Sequence, residues 1–216
     1  MTTAEIKELV RSRSKREVCE VLHDVMIAAD ADAMLTAGIP MLEYGYRMGI
    51  IDDDLFDEVD PDLALTEGVY VTGDHTITDP EETIFFFRTT TATINITDVR
   101  SKVVCLGTGA IIINVSGDGY VNLVCHAGAN VTLNLSGNAI AFIDTKGDAS
   151  LTVVSEGASI AQINGSGSSE IEYEGSDTTH AQVKMFQQSS FTYLLNDTAT
   201  VEAVAENNAT VTETLV

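Results

Sequence analysis

The sequence predicts a mainly β fold: a two-sheet β-solenoid with about twenty residues per coil, preceded by a small N-terminal α-helical region. Three observations lead there. Glycine falls on a beat of ten at Gly107, Gly117, Gly137, Gly147, Gly157 and Gly167, and Asp197 and Asn207 keep the beat later. Four residues after each beat comes an apolar position: Ile111, Val121, Val131, Ala141, Leu151, Ala161, Ile171, Ala181, Phe191, Val201 and Val211. A further column two residues on includes Ile113, Leu123, Leu133, Ile143, Val153, Ile163, Tyr173, Val183 and Tyr193. A fixed period with alternation inside it marks stacked short strands that turn at residues tolerant of positive φ.

The size of the first apolar column sets the number of strands per coil. Ala141, Ala161 and Ala181 form one series, and Val131, Leu151, Ile171, Phe191 and Val211 the other. Strands stack about 4.8 Å apart, so one wall carries small residues and the facing wall large ones, as two interdigitating sheets require. A coil with three walls is the alternative, and the period-twenty alternation argues against it. Turns are expected at Ser116-Gly117-Asp118, Ser136-Gly137-Asn138 and Lys146-Gly147-Asp148.

Three regions follow: 1–66 as a helical cap or docking region, 67–106 as irregular leading coils, and 107–216 as the regular decapeptide ladder. In the first, Thr2 to Glu5 has capping-box spacing. Val18, Val21, Leu22, Val25 and Met26 recur at helical intervals within a helix expected over Lys15 to Ala29. A short helix is expected near Ala31 to Thr36, another after Pro40, and one more at the acidic run Asp52 to Glu58. Such short helices need packing to be stable. In the second region Gly68 to Val71 and Thr83 to Phe87 read as the first strands, separated by turns at Gly73-Asp74 and Asp79-Pro80. Ile94 and Ile96 lie nine residues before Val103 and Cys105 rather than ten, so these coils depart from the regular period.

The acidic helical N-terminus, the strand Gly68 to Val71, the proline turn, the apolar strand Ile84 to Phe87 and the ladder together resemble small uncharacterised proteins encoded by gut Bacteroidales and their phages. That resemblance implies a noncatalytic solenoid and a phage component. It supplies no functional residues.

Composition bounds the partners. The chain has 216 residues, 44% of them hydrophobic, enough for a core. No window approaches the apolar length of a membrane span, and the start Met-Thr-Thr-Ala-Glu-Ile-Lys lacks a secretory design. The expected location is therefore the cytoplasm, and the virion if the gene is phage-borne. Three cysteines fit a reducing compartment better than a disulfide framework. A net charge of −22 repels a phosphate backbone and opposes nucleic-acid binding.

The sequence offers no catalytic, cofactor-binding or metal-binding constellation. Cys105 and Cys125, twenty residues apart, are expected as buried free thiols in one column, a spacing also compatible with a disulfide or half a metal site. His126 points the other way, and His23, His75 and His180 belong to different elements. Glu170, Glu172 and Glu174 share one outward face and read as solvated, since paired glycosidase carboxylates need a groove and an aromatic platform. The aspartates at 52, 53, 54 and 57 lack the central glycine of a calcium loop. Asn-x-Ser/Thr triplets at Asn95, Asn114, Asn134, Asn164, Asn196 and Asn208 are products of a ladder rich in these residues. Thr132, Thr152, Thr192 and Thr212 share an outward column, as in ice-binding solenoids, but Glu172 interrupts it.

Apolar residues at outward positions are the more informative signal. Ile140, Phe142 and Ile160 are expected together on one sheet, and Val124, Val154 and Leu194 on the other. Adjacent exposed apolar groups on a solenoid face point to contact with another chain or with the N-terminal helices, and oligomerisation is the preferred reading. The expected function is that of a noncatalytic structural or binding protein, a phage virion or virion-associated component working through protein–protein contacts with itself or virion proteins. The alternatives are a carbohydrate-binding or carbohydrate-active β-helix, with a glycan as partner, and a cytoplasmic polymerising scaffold.

Overall fold

The computed structural model describes residues 4, 5, 8, 24, 25, 27–47, 51, 53–126 and 128–214. The chain divides into two compact units, Met1–Val71 and Thr72–Val216.

The first unit is helical. Thr2 and most of the helix expected over Lys15 to Ala29 lie outside the described residues, although Asp24, Val25 and Ile27 are helical. Helix α1 (Ala31–Gly38) starts where the Asp30 carboxylate accepts the Ala33 N–H at 2.9 Å, and it runs longer than the expected Ala31 to Thr36. Pro40 sits in a single 3-10 turn (Ile39–Met41) that leads into α2 (Leu42–Arg47). The acidic run opens α3 (Asp53–Phe56). A further helix, α4 (Pro61–Thr66), has Asp60 as N-cap and proline at its first position. The Asp60 N–H also donates to the Asp32 carboxylate at 2.8 Å, which ties the start of α4 to the first turn of α1. Met34, Leu35, Leu42 and Leu55 are fully buried. The unit ends on a two-residue strand, β1 (Val69–Tyr70).

The second unit is the solenoid, with about seven turns. Its strands are β2 (Asp74–Thr78), β3 (Thr83–Phe86), β4 (Thr91–Thr97), β5 (Arg100–Cys105), β6 (Ala110–Ser116), β7 (Tyr120–Cys125), β8 (Asn130–Leu135) and β9 (Ile140–Thr145). They continue with β10 (Ser150–Ser155), β11 (Ile160–Gly165), β12 (Glu170–Gly175), β13 (His180–Met185), β14 (Ser190–Leu195), β15 (Thr200–Ala205) and β16 (Thr210–Glu213). Odd strands from β3 to β15 stack in order as sheet I, and even strands from β2 to β16 as sheet II. All pairing within them is parallel, each strand hydrogen-bonded to the one a full coil away.

The register follows the period of twenty. Ile143, Ile163 and Val183 align on sheet I, and Leu133, Val153, Tyr173 and Tyr193 on sheet II. Ala141, Ala161 and Ala181 line one wall, and Val131, Leu151, Ile171 and Phe191 the other, all buried. The leading coils are shorter, as expected: β2 aligns with β4 at Asp74↔Thr91, and β3 with β5 at Thr83↔Lys102. The full period begins with Arg100↔Tyr120. Strand β2 occupies residues where the sequence suggested only a turn.

The turns use the left-handed region as predicted, with Gly157 at φ +73° and Asp197 and Asn207 at +57° and +55°. Gly107 keeps the beat for another reason. Its φ is not positive, but a Cβ there would come within 2.2 Å of the Arg88 carbonyl oxygen. In that turn column Gly128, one residue off the beat, takes φ +77°.

Candidate functional site

Strand alternation sends positions 100, 102 and 104, and their equivalents every twenty residues, to the outer face of sheet I. One outer column reads Arg100, Tyr120, Ile140, Ile160, His180 and Thr200. Beside it run Lys102, Asn122, Phe142, Gln162, Gln182 and Glu202. The structure thus brings Ile140, Phe142 and Ile160 together on two neighbouring strands. Phe142 is 40% exposed and Ile160 44%, while Ile140 is half-buried.

The patch has an aromatic extension that the sequence reading missed. The Tyr120 and Phe142 rings lie 5.5 Å apart at 34°, and the Arg100 guanidinium sits 5.1 Å over the Tyr120 ring. The signal was present: Tyr120 holds the same position of the period as Ile140. Farther along the face a shallow groove of about 220 Å³ is lined by Gln162, Asn164, Gln182, Lys184, Glu202 and Val204. Here Asn164 donates to the Asp144 carboxylate at 3.0 Å, and Lys146 lies 3.5 Å from the same group.

The second expected set does not assemble. Val124 belongs to β7 and hence to sheet I, the sheet of Ile140, and it is only 5% exposed. The reason is parity: strands change sheet every ten residues, so 124 shares its face with 144, not with 134 or 154. Val154 and Leu194 do lie on the outer face of sheet II, half-buried, but Glu174 stands between them in the column. They line a groove of about 240 Å³ with Thr152, Glu172, Glu174 and Thr192. Ile112, 41% exposed on the same face, is an apolar group the sequence reading did not single out.

The other constellations take the places expected of them. Cys105 and Cys125 are register partners, buried, and free thiols. The hydrogen bond to Cys105, then burial, push the Cys125 thiol well above its ordinary range, the reverse of what a nucleophile needs. Glu170, Glu172 and Glu174 project together to solvent from β12. The threonine column is aligned from Thr132 through Thr152, Glu172 and Thr192 to Thr212. Beside it Asn134 donates to Asn114 at 2.8 Å and Asn114 to Asn95 at 2.9 Å, a side-chain ladder that spends these amides on the solenoid itself. Among the described residues no group of three or more His, Cys, Asp or Glu side chains is arranged to hold a metal ion. No helix among them is long and apolar enough to cross a membrane.

No family model, no curated protein and no solved structure matches the chain.

Proposed function

We propose that the chain is a noncatalytic structural or binding protein that works through contacts with other protein chains, made by the outer face of sheet I between β7 and β11. One observation carries the reading: Phe142 and Ile160, 40% and 44% exposed, cluster with Ile140 and Tyr120 on neighbouring strands. Covering such side chains contributes about 1.5–3 kcal/mol for each one fully buried. The scaffold suits the role. Every inner strand is hydrogen-bonded on both sides, so the face is presented on a backbone with little freedom to lose on binding. A phage virion, or a component attached to one, is the assembly we infer, following the resemblance of the helical N-terminus and ladder.

Photocrosslinking residues placed at positions 142 and 160 test the contact. In the native host, crosslinks to protein at these positions and none at position 168, in the exposed turn after β11, are expected. A second reading, glycan binding, draws on the Tyr120–Phe142 ring pair beside the amide-lined groove. Binding on a glycan array that Phe142→Ser abolishes, without any protein crosslink, would replace the first reading with the second. Mass spectrometry of purified phage particles tests the virion assignment, which fails if the chain is absent from them.

A further inference from the structure

The solenoid segregates its basic residues. All Lys and Arg residues of 72–216, namely Arg88, Arg100, Lys102, Lys146 and Lys184, lie on strands of sheet I or within two residues after them. The strands of sheet II carry none, and their outer face holds Asp74, Glu170, Glu172 and Glu174, while the outer face of sheet I mixes its basic groups with Asp144 and Glu202. Both faces bear exposed apolar groups, Phe142, Ile160 and Val204 on sheet I and Ile112, with half-buried Val154 and Leu194, on sheet II.

We propose that the outer face of sheet I in one copy docks on the outer face of sheet II in a second copy. This rests on the proposed function and names the partner. Axial levels match when the two copies are related by simple sideways translation. Within the coils, β10 lies level with β9 and β11, so Val154 of one copy comes opposite Phe142 and Ile160 of the other. At the next levels β12 lies beside β11 and β13 and runs back against them, so Glu170 and Glu172 come opposite Lys184, and Glu174 opposite Gln162 and Gln182. The area suffices. Strands of about 20 Å, seven deep at about 4.8 Å, make a face of roughly 600 Å² and a contact of roughly 1,200 Å² in total, above the ~1,000 Å² a specific interface needs. Because the two surfaces differ, the contact is heterologous, and each added copy leaves a free face for the next.

Sedimentation velocity of the full chain at about 0.15 M salt tests this. The average mass should at least double with rising concentration, since screening relieves the repulsion between two chains of net charge −22. Phe142→Asp disables the sheet I face, and Glu170→Lys with Glu172→Lys disables the sheet II face. These residues are at the surface, and circular dichroism checks that both variants fold. Each variant alone should be monomeric, while an equal mixture should form one-to-one dimers and nothing longer, since each supplies the face the other lacks. A wild-type chain that stays monomeric overturns the inference, and crosslinks from position 142 to a different protein would then leave the proposed function standing. A sheet II variant that still dimerises by itself also overturns it, because the pairing would be sheet I to sheet I.

Discussion

Two buried side chains test the inner wall at the level of single residues. Leu151 is 1% exposed and aligned between Val131 and Ile171. Leu151→Ala should cost about 2–5 kcal/mol. Leu151→Asp should cost more, because the carboxylate adds the penalty of an unpaired buried charge; urea titration of both variants measures the order. The Cys125 thiol gives a pH test. Its folded pKa is raised, so the unfolded chain ionises first and stability falls once the pH exceeds about 8.5, the ordinary thiol value, while remaining level below it. Tyr70 and Tyr193 are also shifted upward, but from about 10, so the window below that belongs to the thiol. Cys125→Ala should remove the fall between pH 8.5 and 10, which pH-dependent denaturation would show. Both columns were legible in the sequence, because a period of twenty places residues at equal depth. Gly165 and Gly175 were not, since they fall at strand ends and make room for Met185 and for Tyr173 with Thr179, a pairing of shapes that no spacing encodes.

At the level of elements, legibility tracked the regularity of the period. From β5 onward the strands lie where the beat of ten puts them, because each turn after β6 places a residue in the left-handed region and each strand repeats the same alternation. Strand β2 escaped because Asp74-His75-Thr76-Ile77-Thr78 has a single aliphatic residue, and its pairing with β4 spans only Asp74 to Thr91. Helix α4 was hidden within the acidic stretch although Asp60-Pro61 is a strong start signal. Its cap provides a test. Asp60→Ala removes the acceptor of the Asp62 N–H and should destabilise the helical unit by about 1 kcal/mol. Asp60→Asn keeps the acceptor and should lose less; thermal melts of the two variants compare them. The candidate patch was half legible: spacing located Ile140, Phe142 and Ile160, but a parity slip misplaced Val124, and the ring pairing to Tyr120 depends on side-chain direction.

For the molecule as a whole, a solenoid is nearly one-dimensional, and a coil is supported only by its neighbours. Position along the axis should therefore set the cost of a core change as strongly as chemistry does. Val131 and Val211 occupy the same inner column of sheet II, linked through Leu151, Ile171 and Phe191. Val131 is 1% exposed, with paired strands above and below it. Val211 is half-buried on β16, which pairs with β14 alone. Val131→Ala should cost about 2 kcal/mol, the lost transfer of two methyl groups plus an unfilled cavity. Val211→Ala deletes the same atoms where part of their surface already meets water and the chain can relax, so it should cost less than about 1 kcal/mol. Hydrogen exchange gives the matching pattern, with slow amides in β8 to β12 and faster ones in β15 and β16. Salt adds a second axis to the same measurement. With a net charge of −22, screening should raise the unfolding midpoint of both variants. Equal losses for Val131→Ala and Val211→Ala would mean that the solenoid unfolds as one indivisible body and that its last coil is held by more than β14.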